Sequence, residues 1–255
     1  VSNTTAATPI DIWTPANQYI RPAIVDQVAL GYFRNFRQNT FEFSAEVYYK
    51  NFQDLIDFRN GAELILNETL ETELLSGKGR AYGLELLLKK REGRWTGWLS
   101  YTLARTERQV DGINNNEYYP SNFDKPHDVS LVLNYTITKK WNASANFAYM
   151  TGRPTTPPSG RFVYEGIVVP DYTSRNGART PDYHRLDLSV NYEPPPKPGR
   201  RWRNSWNFGV YNVYARRNPY SVFFRPNAEN PAITEAVQLS IFANIIPSVT
   251  YNFTF

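Results

Sequence analysis

Cysteine is absent from the 255 residues, methionine occurs once and histidine twice. Without cysteine there is no disulfide framework, no thiolate metal site and no cysteine nucleophile. His127 and His184 alone leave little basis for a His-based metal site or a Ser-His-Asp arrangement. No apolar run approaches the roughly 18 residues that a spanning helix needs. Val1 to Pro9 is polar and small and does not read as a secretory leader. Neither phosphate-cradling glycine motif, G-x-x-x-x-G-K-[ST] or G-x-G-x-x-G, occurs, so no nucleotide fold is suggested. Charge of one sign is lacking too: 28 Lys and Arg stand against 24 Asp and Glu, a net of +4. Arg200, Arg201 and Arg203 follow a proline run in a stiff, solvated turn able to touch lipid phosphates. A nucleic-acid partner would want such basicity spread over a face with interleaved aromatics, and none is expected.

What the chain does hold is aromatic: 15% of it, as Trp 6, Tyr 18 and Phe 15, with Pro 18 and Gly 14. That mixture favours β-structure with many turns. It is also too apolar for a disordered chain. The dominant period is two. Phe41, Phe43, Ala45, Val47 and Tyr49 alternate with Glu42, Ser44, Glu46, Tyr48 and Lys50. The same alternation runs through Leu84–Leu88, Trp95–Leu103, Val129–Tyr135, Trp141–Tyr149, Leu186–Tyr192 and Val249–Phe255. Segments 24–37 and 203–214 complete about nine expected strands, and no segment offers a convincing amphipathic helix.

Each run covers roughly 10 to 14 residues, whereas soluble strands average five or six. Strands tilted across a bilayer need about nine to eleven. Connections alternate strictly. Short ones lie at Gln38-Asn39, Glu92–Arg94, Thr138–Lys140 and 194–201; long ones at 53–78, 108–123, 152–181 and 215–236. Long structureless loops are unusual in a compact soluble domain, but tight periplasmic turns opposite long outward loops characterise outer-membrane barrels. Trp95, Trp141 and Trp202 sit beside short turns, and Tyr49, Tyr101 and Tyr149 toward the far strand ends, as two interfacial girdles would. The expected fold is therefore all-β, an antiparallel transmembrane barrel wall, with a secreted β-sandwich as the alternative. In bacterial single-chain barrels both termini are periplasmic and the strand number is even. Nine strands entering from outside then require further strands elsewhere, because unpaired backbone is not tolerated in lipid.

Particular segments point to a family. Ile20-Arg21-Pro22 with Asp26–Tyr32, Gly79-Arg80-Ala81-Tyr82-Gly83-Leu84-Glu85-Leu86 and Asn122–Asp128 come first in the chain. Tyr183–Tyr192 with its Leu-Asp-Leu, Gly209–Val213, Arg217-Asn218-Pro219-Tyr220 and Pro247–Phe255 follow. In this order they resemble the C-terminal barrel half of TonB-dependent outer-membrane transporters. The resemblance implies a 22-stranded barrel with a plugged lumen, of which residues 1–255 supply roughly the last nine strands. It implies cell outer-membrane localisation, active import of a scarce bulky nutrient (siderophore, vitamin, peptide or glycan), no catalysis and no cofactor. Implied partners are the TonB complex through an upstream region, outer-membrane lipid, the barrel-assembly machinery and in some systems a surface lipoprotein. Tyr251, Phe253 and Phe255 resemble the aromatic strand ending that the assembly machinery reads. A passive porin-like channel, or a barrel enzyme, is the remaining alternative.

Other residues have plainer readings. His127 is expected to cap or orient a loop entry beside Asp124 and Asp128. Asp111–Glu117 is oxygen-rich but lacks the EF-hand spacing, so it reads as a turn. Glu42, Glu46 and Glu85 share the polar face, where lumen carboxylates pair with Arg or Lys of neighbouring strands or the plug. Loop aromatics such as Tyr118, Tyr119, Phe162, Tyr164 and Tyr220 are expected to pack loop against loop rather than to stack on a ligand. No ligand-binding residue can be assigned from the sequence.

Overall fold

Period-two segments need hydrogen-bonded neighbours, and here each finds the next in sequence. The computed structural model describes residues 16–17, 20–62, 67, 69–165, 167–172, 174–195, 203–230 and 233–254. In chain order its strands are β1 (Ile24–Phe36), β2 (Phe41–Phe58), β3 (Leu74–Lys90), β4 (Trp95–Val110), β5 (Tyr119–Pro120), β6 (His127–Thr136), β7 (Trp141–Met150) and β8 (Pro154–Thr155). There follow β9 (Gly160–Tyr164), β10 (Ile167–Asp171), β11 (Ala178–Arg179), β12 (Tyr183–Tyr192), β13 (Arg203–Tyr211), β14 (Ser221–Pro226), β15 (Thr234–Leu239) and β16 (Ile246–Thr254). The nine expected strands form one antiparallel sheet in the order β1-β2-β3-β4-β6-β7-β12-β13-β16, with β5 on β4. Among the described residues β1 and β16 are the two ends of this sheet and do not pair with each other.

Register decides the faces, because cross-strand partners point to the same side. One row reads Arg34, Phe43, Leu88, Leu99, Leu131, Phe147, Leu186. Another reads Trp95, Tyr135, Ala143, Val190, Phe208, Val249. The opposite face reads Thr96, Asn134, Ser144, Ser189, Gly209, Ser248. A one-residue slip in any ladder would mix the two faces; these rows are free of one, and the shift in the β2–β3 ladder falls beyond them, between Phe52 and Leu55. The apolar face is unpacked: Val249 is 63% and Phe253 61% exposed, and Leu30 and Val47 are exposed as well. A continuous apolar surface of this extent in water would be an aggregation liability. In hydrocarbon it is what a barrel exterior requires.

Near the short turns the outward face carries tilted ring pairs: Trp95–Tyr135 at 4.2 Å, Trp141–Tyr192 at 4.7 Å and Trp206–Tyr251 at 4.7 Å between centroids. This is the expected aromatic girdle. Trp206 occupies a place in it that the sequence reading gave to Trp202, which lies outside the described residues.

Two expectations are corrected. The long loops are not structureless. β2 runs 18 residues and β3 17, past a bulge between Phe52 and Leu55, so both rise into the segment read as loop 53–78. Tyr49 and Tyr101 accordingly sit within β2 and β4 rather than at their far ends. The loops beyond hold their own ladders, β8 with β11, β9 with β10 and β14 with β15. Polar loop backbone needs partners once it is covered, and these ladders supply them.

Candidate functional site

The tightly buried part of the molecule is at the long-loop end of the wall. Val110 and Ile113 are fully buried, Tyr119 nearly so, and Leu75 packs against them. Val110 lies opposite Gly77, and Leu75 opposite Asp57, all on the polar inner face. Onto this platform folds the loop between β7 and β12, residues 151–182. Arg175 is its anchor. Its Nη1 lies 2.8 Å from Oδ1 of Asp57 and donates to the Phe58 carbonyl at 2.7 Å, while Nη2 donates to Asn60 Oδ1 at 2.8 Å. Its backbone N–H donates to Asn114 Oδ1 at 2.8 Å, and Asn114 Nδ2 donates back to the Arg175 carbonyl at 2.9 Å. Tyr119 Oη donates to the second oxygen of Asp57 at 2.7 Å. Burial beside a carboxylate pushes the Tyr119 phenol well above its usual range, so it remains a donor.

A second knot lies alongside. Asp124, almost fully buried, is ion-paired with Arg179 of the long loop and approached by Arg105 of β4 at 3.4 Å, and it accepts from the Thr106 N–H at 2.7 Å. Asn176 Nδ2 donates to the Pro120 carbonyl and to Asn122 Oδ1, each at 2.7 Å. Where the loop returns to the wall, Asp182 accepts from Tyr149 Oη at 2.7 Å and the Gly152 N–H at 2.9 Å. Those donors hold its carboxyl below the usual carboxylate range.

The loop after β13 is tied down by two asparagines. β12 and β13 pair only from Leu188–Val210 to Tyr192–Trp206. Above that, the Val213 N–H donates to the Leu186 carbonyl at 2.9 Å. Asn218 then replaces a strand: its Oδ1 accepts from the His184 N–H at 3.0 Å and its Nδ2 donates to the His184 carbonyl at 2.9 Å. Buried Asn212 donates to the Arg216 carbonyl at 3.0 Å and receives the Arg216 N–H at 3.0 Å.

These arrangements position loops; they do not assemble acid–base chemistry. Among the described residues the buried carboxylates Asp57, Glu73 and Asp124 are each met by arginine, and no group of three His, Asp or Glu stands where a metal ion could be held. The His127 side chain does not stand beside Asp124, as the sequence suggested, although its backbone N–H does hold a loop entry by donating to Thr151 Oγ1 at 3.0 Å. Its ring faces outward, stacked on Tyr101 with Nδ1 2.9 Å from the phenol, while Asp124 serves Arg179. Asp111–Glu117 is a turn whose amides are engaged by the protein: Asn116 Oδ1 accepts from the Gly112 N–H within the turn at 2.7 Å, and Asn114 holds Arg175 of the facing loop. Glu42 pairs with Arg91 on the inner face, whereas Glu46 and Glu85 lie directly opposite one another with no cation paired to either among the described residues. Of the assembly-signal candidates, Tyr251 and Phe253 lie exposed on the outward face of β16, and Phe255 lies outside the described residues. Arg175, Arg179, Asp182 and Asp57 were not singled out in the sequence, because nothing local marks an arginine whose partner is a distant strand.

A wall of long antiparallel strands, apolar outside and polar inside, with buried polar knots fixing loops over one end, has the architecture of an outer-membrane β-barrel wall. The family model for "TonB dependent receptor-like, beta-barrel" matches residues 2–213. The chain belongs to this TonB-dependent receptor β-barrel family, whose place is the outer membrane. No curated protein matches it. Among solved structures, the wall is similar to the ferric-catecholate import receptor Fiu of E. coli K12, at 13% identity and TM-score 0.56, covering 98% of this chain and 30% of that one. It is similar in the same degree, 13% and 0.56, to the ferripyoverdine receptor of the outer membrane of Pseudomonas aeruginosa, covering 96% and 29%. The FrpB iron transporter of Neisseria meningitidis matches at 12% identity and TM-score 0.56, covering 94% and 32%. The chain thus spans under a third of the length of these relatives.

Proposed function

We propose that residues 1–255 are the C-terminal portion of a plugged barrel that actively imports a scarce, bulky nutrient, driven through the TonB complex. The observation that carries this reading is the combination of an outward hydrocarbon-facing wall with long loops fixed by buried ion pairs over its inner face. Loops anchored this way are held in fixed geometry, since a buried ion pair must be well placed merely to offset its dehydration, and fixed loops suit capture of a ligand at the barrel mouth. The facing pair Glu46 and Glu85 supports an inner occupant: like charges opposite one another destabilise a sheet unless something between them answers the charge, and a plug segment with basic side chains would do so. Ferric chelates are the first ligands to test, because the three relatives named above are receptors or transporters of iron or its complexes. The barrel-assembly machinery is proposed to read the aromatics Tyr251, Phe253 and Phe255, with Phe253→Ala lowering the amount of assembled barrel.

The deciding experiment compares uptake by cells carrying or lacking the full-length protein, in the presence and absence of TonB and of the inner-membrane proton gradient. Saturable uptake that collapses when either is removed is expected. Uptake linear in ligand concentration and indifferent to both would replace the transporter with a channel.

A further inference from the structure

At the short-turn end of the outward face, cations lie over the aromatic girdle without acidic partners. Arg37 and Lys90 both approach the ring of Phe41, each 5.9 Å from its centroid. Arg34 lies 5.4 Å from the Phe36 ring and Arg94 5.8 Å from that of Tyr135. Register puts Arg34 with Phe43 and Lys90 with Phe41, both on the apolar face. None of the four is ion-paired among the described residues, although Glu92 stands in the same turn as Arg94.

Elsewhere on this wall the pattern differs. Outward-facing Arg80, at the long-loop end, also stacks on tyrosines, but it is paired with Glu107 at 2.8 Å. Arg91, from the same turn as Arg94, is answered by Glu42 on the inner face. Two like charges over one ring, with no acid paired to either among the described residues, make a local positive field that favours an approaching anion. A cation laid on a ring face keeps N–H donors free for a second acceptor, and guanidinium matches phosphate oxygens two at a time. Tryptophan and tyrosine mark the depth at which headgroups lie.

We infer that Arg37 and Lys90 around Phe41, flanked by Arg34 and Arg94, form a seat for the phosphate of an anionic glycerophospholipid in the periplasmic leaflet. This rests on the membrane placement above, with the short turns in the periplasm. Electrostatic attraction near a membrane surface favours an anionic headgroup by about fivefold for each cation engaged.

The test uses the full-length protein carrying this sequence, refolded into phosphatidylcholine vesicles containing a minor share of phosphatidylglycerol. The lipid retained after gentle detergent extraction is counted by native mass spectrometry. Wild type should retain phosphatidylglycerol enriched at least about fivefold over its share in the vesicle. The Arg37→Gln/Lys90→Gln pair should bring retention near parity, and Arg80→Gln should leave it unchanged. Equal enrichment in wild type and the double variant overturns the seat, as does displacement of the lipid by millimolar inorganic phosphate, which would mark a free-anion site. Failure to insert into either lipid is a separate result that removes the membrane placement itself.

Discussion

Nη1 of Arg175 lies 2.8 Å from Oδ1 of Asp57, so that a residue of the third long loop is bonded to the top of β2. Both side chains are almost fully buried, at 3% and 4% exposure. The pair is thus a fixed strap across the inner face of β2, β3 and β4, completed by Tyr119 beneath it. Removing one member of a buried pair strands the other, typically at about 3–5 kcal/mol. Arg175→Gln should therefore free residues 151–182 from the wall while leaving the strands paired. Hydrogen exchange on the folded protein should show lost protection across that loop and none in β6 or β7. Tyr119→Phe removes one hydrogen bond to Asp57 and should cost less, about 1–3 kcal/mol for the acceptor left short of a partner. Unchanged exchange in the Arg175 variant would mean that the Arg179–Asp124 pair, Asn176 and the loop's own ladders hold it without Arg175.

Asn218 stands in for missing strand pairing at His184, giving and receiving one bond through its amide. Alanine there leaves a backbone N–H and carbonyl of β12 without those partners at the edge of the loop. Asn218→Ala should cost roughly 1–3 kcal/mol of local stability and fray the upper end of β12, and Asn218→Asp should lose the donor half alone. Proteolysis of the loop 212–245 in the folded protein is the measurement. Wild-type resistance in both variants would show that the amide is dispensable.

That asparagine shows where the sequence was legible and where it was not. Its motif, Arg217-Asn218-Pro219-Tyr220, drew attention by resemblance, yet its physical role appears only when β13 is seen to leave β12 above Val210. Strand existence and face were readable because period two writes them into neighbouring residues: Leu186, Leu188 and Val190 need no distant partner to declare a side. Strand ends were less so. Leu55 to Phe58 do not alternate cleanly because the bulge after Phe52 resets the period, so β2 reads as ending early. The loop knots were invisible, since Arg175 with Asp57 and Arg179 with Asp124 are brought together by topology alone. No ligand-contacting residue could be read for the same reason: period two tells which way a side chain faces, not what it meets across the inner face.

Asp182 gives the loop a pH dependence of known sign. Hydrogen bonds from Tyr149 and the Gly152 N–H depress its folded pKa below the unfolded value of about 3.9. Its contribution is therefore fully present above that unfolded value and is lost as pH falls through the folded one. Loop protection should be level from neutral pH to about pH 5, then decline on further acidification. In Asp182→Asn the acid decline should be shallower, though protection at neutral pH starts lower. Hydrogen exchange of residues 151–153 and 180–182 across this range decides it; an identical acid limb in both proteins would assign the decline to other carboxylates.

Gly97 tests the wall itself. It lies on the outward face of β4 opposite Leu133, with φ at +147°, where side-chain-bearing residues are rarely found. A Cβ built there would stand 2.0 Å from the Val132 carbonyl oxygen, an acceptor in the adjoining strand that cannot swing aside as a flexible side chain could. Gly97→Ala must therefore either part β4 from β6 near the girdle or twist the strand out of register. Backbone groups parted in lipid find no water, each at a cost of several kcal/mol. The expected outcome is a sharp fall in the heat-modifiable folded form extracted from outer membranes, with total synthesis unchanged. Gly93→Ala, in the turn nearby, meets nothing closer than the tip of Lys90 at 3.5 Å and so carries only the backbone strain of φ +98°. It should be the milder of the two, and the difference between them measures how far close strand approach, rather than glycine flexibility, sets assembly of this part of the barrel.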